Sequence, residues 1–185
     1  MNNIFSNNFY YQFQAPNHVD IIEFIEKQNK VDNENFSWGK QCKVDRIPIS
    51  WQDAHELLKP SVNVFSDILG VPFGYTIFDP WVNIYKYGYF QEIHTHIPHD
   101  FSMVFFTNTG KNFSDFFFFN KNIIDIPNNW LKLLPDNDIS KTVWVPEVNP
   151  GDMIFFHSNM LHGVSNHKSK IIRKTLSCNF NFNLT

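Results

Sequence analysis

The sequence predicts a mainly β chain with supporting helices, of the sandwich or jelly-roll kind. Three observations carry this: two stretches of helical apolar spacing before residue 70, a change near Gly74 to short β-rich runs divided by Gly, Pro, Asn and Asp, and 21 Phe among 185 residues. The first helix is expected from His18 to Lys30, where Val19, Ile22, Phe24 and Ile25 form an apolar stripe. A second begins near Ser50. Ser50 with Asp53 resembles a capping box with Asp in the Glu position, and Trp51, Ala54, Leu57 and Leu58 continue at helical spacing. The pattern runs through Val62, Val64, Phe65, Ile68 and Leu69 to a stop at Gly70, and Pro60 is a point where it can divide. Residues 1–70 therefore read as a helical buttress on one sheet.

Eight strands are expected beyond it: Tyr75 to Phe78, Val82 to Tyr87, Phe90 to Ile97, Phe101 to Thr107, Phe113 to Phe119, Thr142 to Val145, Asp152 to Phe156 and Ile171 to Phe182. The run Phe116 to Phe119 reads as a strand buried on both faces rather than a binding surface. With no internal repeat and no linker, residues 1–185 are expected as one domain whose β core is 71–185. The segment Lys121 to Lys141, with Trp130, Leu131, Leu133 and Leu134 between polar ends, reads either as a lid or as a helix packed on that core.

Composition narrows the class. No stretch approaches the ~18 to 20 apolar residues of a membrane span, and the N-terminus lacks signal-peptide features, so a soluble cytoplasmic protein is expected. Cys42 and Cys178 are far apart and in no metal-type spacing, which suits incidental thiols in a reducing compartment. A net charge of -3 without a dense basic stripe argues against a sequence-independent grip on nucleic acid. Of 15 cationic side chains only Arg46 and Arg173 are arginines. That bias fits an AT-rich genome, and it points to each arginine as standing where a planar fork is needed.

Two segments carry chemistry: Gly88 to His96, and Gly151 to Phe156 leading on to His162 and Arg173. In an extended strand His94 and His96 face one side and Thr95 the other. With His162 from a distant strand they make a facial metal site with open positions. Arg173 begins a strand-like run and can grip a carboxylate through two parallel hydrogen bonds. Alternation puts Arg173, Thr175, Ser177 and Asn179 on one face of that run and Leu176, Cys178 and Phe180 on the other, a polar lining inside a barrel. His18, His55, His157 and His167 read as surface or hydrogen-bonded structural residues.

The segments Asp79 to His94 and Pro150 to Val164 resemble the two metal-bearing regions of the Fe(II)/2-oxoglutarate-dependent oxygenases. The resemblance is nearest to the prolyl-4-hydroxylase-like branch and to small oxygenases of marine bacteria and phages, and it covers about Trp81 to Phe182. It implies a double-stranded β-helix (a cupin-like jelly roll), Fe(II) as metal and 2-oxoglutarate as cosubstrate. It also implies hydroxylation of a small-molecule or peptidyl substrate with release of succinate and CO2. By position, His94 matches the first metal ligand and His162 the distal one. Arg173 matches the residue holding the far carboxylate of 2-oxoglutarate, and Thr175 the hydroxyl often found two residues later. Asn83 and Tyr85, on one face of an earlier strand, become candidate cosubstrate contacts, with buried packing as the other reading of Tyr85.

The chain departs from the family's His-x-Asp or His-x-Glu at His96. Three arrangements are open: a three-histidine site through His96, which is the expectation; a carboxylate from Asp100 folded back past Pro98; or water or an anion in the third position. His99 reads as an outer neighbour of the site or as exposed. Two other classes stand beside this one. A cupin-like three-histidine dioxygenase without 2-oxoglutarate would leave Arg173 and Thr175 without a purpose, and a non-enzymatic jelly-roll binding module would not explain the spaced histidines.

Overall fold

The alternation in the last strand, β10 (Arg173–Asn183), sets the layering. Leu176, Cys178 and Phe180 pack into an apolar core on one face, while Arg173, Thr175, Ser177 and Asn179 line a pocket on the other. The computed structural model describes residues 9–28, 42–121 and 142–183. In chain order the preceding elements are β1 (Tyr10–Gln14), α1 (His18–Lys27), β2 (Asp45–Pro48), α2 (Trp51–Leu69), β3 (Gly74–Tyr85), β4 (Gln91–His94), β5 (Phe101–Phe106), β6 (Phe116–Phe119), β7 (Val143–Trp144), β8 (Asp152–His157) and β9 (His162–Val164). They form a six-stranded sheet, β1-β8-β5-β10-β3-β2, and a four-stranded sheet, β4-β9-β6-β7, with every pairing antiparallel.

The larger sheet is covered on both faces, which is why its central strands are apolar almost throughout. On one side Ile21 and Ile25 of α1 and Ala54, Leu58, Val62 and Phe65 of α2 meet Met103, Phe105, Met153, Phe155, Leu176 and Phe180. On the other, Val104, Phe106, Ile154 and Phe156 meet Phe116, Phe118 and Val164 of the smaller sheet. Two antiparallel sheets closed on each other in this way are the jelly roll that the strand pattern predicts.

The helices answer to local chemistry. Ser50 caps α2: its Oγ accepts the Asp53 N–H at 3.1 Å and its hydroxyl donates to the Asp53 carboxylate at 2.7 Å. Gly70 ends the helix at φ 69°, in the left-handed region that glycine tolerates. Pro60 does not divide α2, because Leu58, Val62 and Phe65 on both sides of it are held by the same core. The first helix stops at Lys27, short of the expected Lys30.

Residues 1–70 are not purely helical. The described part contains β1, which pairs with β8, and β2, which pairs with β3, so strands from this region form both edges of the larger sheet. The two runs expected from Tyr75 to Phe78 and from Val82 to Tyr87 are one strand, β3, with a register shift opposite Ser177 and Asn179 and a positive φ of 45° at Asp79. The Phe run is buried on alternate residues only: Phe116 and Phe118 face the core, and Phe117 and Phe119 are half-buried. The strand β9 matches the distant strand expected to carry His162, to which the sequence assigns no bounds. The segment proposed as a lid or packing helix lies, Lys121 apart, outside the described residues.

Candidate metal centre and anion pocket

Antiparallel pairing of β4 with β9 sets His94 directly opposite His162. β4 ends at His94, so His96 is not on the strand that alternation assumed. Its backbone N–H donates instead to the Ser158 carbonyl at 2.8 Å, which extends the chain far enough to return the ring to the same side. The three ring centroids are 4.4 to 5.0 Å apart, and one ligating nitrogen from each imidazole lies within 4.8 Å of the others.

Backbone carbonyls fix two of the tautomers. His94 Nδ1 is 2.7 Å from the Glu92 carbonyl and His162 Nδ1 is 2.8 Å from the Met160 carbonyl. A carbonyl only accepts, so each Nδ1 carries the proton and each Nε2 keeps its lone pair. Burial holds all three imidazoles below the ordinary histidine range. His96 is pushed to about 3, chiefly by desolvation and then by the nearby His94, Arg46 and His99. Neutral imidazoles with lone pairs turned together, and no carboxylate among them, are a donor set that suits Fe(II).

From the histidines the pocket runs to Arg173. This guanidinium is 3 % exposed, donates from Nη1 to Ser114 Oγ at 3.4 Å, and lies 5.0 Å from the Tyr85 ring centroid and 5.5 Å from that of Phe106. Among the described residues no carboxylate pairs with it. Asp115 acts on it only from beyond ion-pair contact, and a buried cation without a contacting counter-ion is costly, so the pocket beside it suits a carboxylate. Thr175 lines the same pocket. Asn83 lines it too, but its amide is engaged: Nδ2 donates to Thr175 Oγ1 at 3.3 Å and to Ser177 Oγ at 3.1 Å, and Oδ1 accepts from Trp81 Nε1 at 2.8 Å. Tyr85 is fully buried and donates to Gln91 Oε1 at 2.5 Å.

Asp100 is not brought to the histidines. Its carboxylate accepts the Phe182 N–H at 2.8 Å, and its own N–H donates to the Phe180 carbonyl. His99 turns its Nδ1 to Asn181 and its ring to Phe78. His167, read as structural, is buried: Nε2 donates to the Ile171 carbonyl at 2.8 Å and Nδ1 accepts the Ser114 N–H at 3.1 Å. It thus supports the serine that touches Arg173. Gln91 and Trp81 also line the pocket and Ser114 contacts Arg173, none of which the sequence singles out. Gln91 sits three places before His94, but a single polar residue in a strand carries no signal of its own.

Three imidazoles and a buried arginine without an ion-pair partner among the described residues thus meet at one polar pocket of a jelly roll. The family model described as "Putative 2OG-Fe(II) oxygenase" matches residues 79–181, more than half of the chain, and the chain belongs to that family. It is therefore an oxidoreductase that uses iron and 2-oxoglutarate. Solved structures share its fold. The 2OG-Fe(II) oxygenase family oxidoreductase of Burkholderia pseudomallei is 14% identical, with 93% of this chain and 84% of that one covered and a TM-score of 0.63. A Pseudomonas putida prolyl-4-hydroxylase is 13% identical, with 95% and 93% covered and a TM-score of 0.62. HygX from Streptomyces hygroscopicus, crystallised with nickel, 2-oxoglutarate and hygromycin B, is 9% identical, with 94% and 83% covered and a TM-score of 0.65. No curated protein matches the sequence. No described helix is long and apolar enough to cross a membrane.

Proposed function

We propose that His94, His96 and His162 hold the iron and that Arg173 anchors the far carboxylate of 2-oxoglutarate in an enzyme that hydroxylates a small-molecule or peptidyl substrate. The observation that supports this most is the convergence of three neutral imidazoles on a pocket that ends at a buried arginine with no carboxylate partner. When bound, iron and 2-oxoglutarate supply the oxidising chemistry, in which O2 converts the cosubstrate to succinate and CO2 while the substrate is oxidised.

The chain's own residues bind and orient. The Glu92 and Met160 carbonyls keep His94 and His162 in the ligating tautomer. Arg173 offers a planar fork to a carboxylate, with its aliphatic and cationic surface held between Tyr85 and Phe106. Thr175 adds a neutral hydroxyl, and Asn83 acts by holding Thr175 and Ser177 rather than by direct contact. Ser102, Ser177 and Asn179 form the remaining polar wall, a surface for hydrogen-bonding groups of the substrate. Phe116, Phe156 and Val164 close the apolar side and exclude water. The whole of 1–185 works as one oxygenase domain in this reading, in the cytoplasm, and the Lys- and Asn-rich composition supports a bacterial or phage genome rich in A and T.

The test is metal-dependent consumption of 2-oxoglutarate with succinate as product. Consumption in wild type and its loss in His162→Ala are expected. A protein that binds metal but leaves 2-oxoglutarate untouched would favour the three-histidine dioxygenase without cosubstrate.

A further inference from the structure

Gln91 is the pocket residue whose polarity its neighbours dictate. It opens β4, is 8 % exposed, and lines the pocket together with Tyr85, Arg173 and Thr175. Its Oε1 lies 2.5 Å from the Tyr85 hydroxyl. The direction of that bond is forced. The Arg173 guanidinium lies over the Tyr85 ring, 5.0 Å from its centroid, and can only donate, so it offers no acceptor to Tyr85. The single phenol proton has no other acceptor among the described residues and goes to the amide oxygen. Burial pushes the Tyr85 phenol up to about 12, which keeps that proton in place. Gln91 Nε2 is then left with its donors toward the pocket, and no described residue accepts from it.

We propose that Gln91 is a cosubstrate-binding residue whose Nε2 donates to the carboxylate that Arg173 holds, gripping it from two sides with one charged and one neutral donor. The proposal rests on the reading of Arg173 as the 2-oxoglutarate anchor. An amide suits this place because it adds a charge-assisted hydrogen bond without burying a second cation. Tyr85 is the positioning residue that sets which end of the amide faces the anion.

The experiment is calorimetric titration of 2-oxoglutarate into the full chain loaded with Mn(II), for wild type, Gln91→Leu, Gln91→Glu and Arg173→Ala, with thermal melting to follow the fold. A second titrant, 2-oxobutanoate, has the keto acid but no far carboxylate. Gln91→Glu keeps the size of the side chain and the acceptor for Tyr85, so it preserves the packing while removing the donor and opposing two carboxylates. Binding of 2-oxoglutarate should weaken about tenfold in Gln91→Leu and about a hundredfold in Gln91→Glu, with 2-oxobutanoate little changed. If Gln91→Glu binds 2-oxoglutarate as wild type does, or better than Gln91→Leu, the amide serves only to support Tyr85 and the proposal is overturned. Equal losses for both titrants would overturn it too, by placing the contact away from the far carboxylate. Failure of wild type itself to bind 2-oxoglutarate would instead remove the anchor reading on which the proposal rests.

Discussion

At the residue scale, His96 stands where the family usually places a carboxylate, which leaves the proposed metal centre one unit more positive. That favours a dianionic cosubstrate and predicts a ranking. His94→Ala and His162→Ala should abolish Mn(II) binding measured by calorimetry, His96→Ala should weaken it, and Asp100→Ala should change it little, because the Asp100 carboxylate is committed to the Phe182 N–H. The opposite order for His96 and Asp100 would mean that the site rebuilds itself around a carboxylate when metal enters.

The same histidines predict a pH dependence. Their ordinary value is 6.5, and in the folded chain each lies lower, His96 at about 3. As pH falls below about 6.5 the unfolded chain takes up protons that the folded chain refuses, so the metal-free protein loses stability from there toward about 3. Urea unfolding of metal-free protein across that window should show a falling midpoint, and His96→Ala should flatten the slope. A midpoint that stays level would show that the imidazoles titrate normally. Spacing and residue type mark His94, His162 and Arg173 as candidates in the sequence, and the fold brings all three to one pocket. Gln91, Ser114 and His167 carry no such mark: Ser114 and His167 act through partners more than fifty residues away, and Gln91 through a proton direction that only packing reveals.

At the scale of elements, α2 joins local and tertiary terms that can be separated. Ser50→Ala removes the N-cap and should cost about 1 kcal/mol in urea unfolding. Phe65→Ala empties a fully buried site whose ring lies 4.4 Å from that of Phe155, and should cost roughly 3–5 kcal/mol. A cap effect as large as the Phe65 effect would contradict the view that core contacts on both sides of Pro60 keep the helix whole. Periodicity revealed α2 and β10 well, since each has one apolar face over many residues. It failed at β9, which has three residues, and at the edge strands β1 and β2, whose pairing with β8 and β3 is a long-range event. β3 was split in two because Asp79 and Pro80 read as a turn, whereas they form an irregularity within one strand.

At the scale of the whole molecule, the two sheets bring together residues that the chain keeps apart: His94 and His162 from the smaller sheet, Arg173 and Tyr85 from the larger. Sequence patterning made the jelly roll legible, while the closure of its sheets, which decides that Asp100 is turned away and Gln91 inward, lies in pairing registers that no local pattern encodes. The most direct test of the central claim is a crystal grown with Mn(II) and 2-oxoglutarate without oxygen. It should show Mn(II) bound by His94, His96 and His162 together, with the far carboxylate of 2-oxoglutarate on the Arg173 guanidinium. Mn(II) held by Asp100 with His96 turned away, or 2-oxoglutarate bound apart from Arg173, would contradict it.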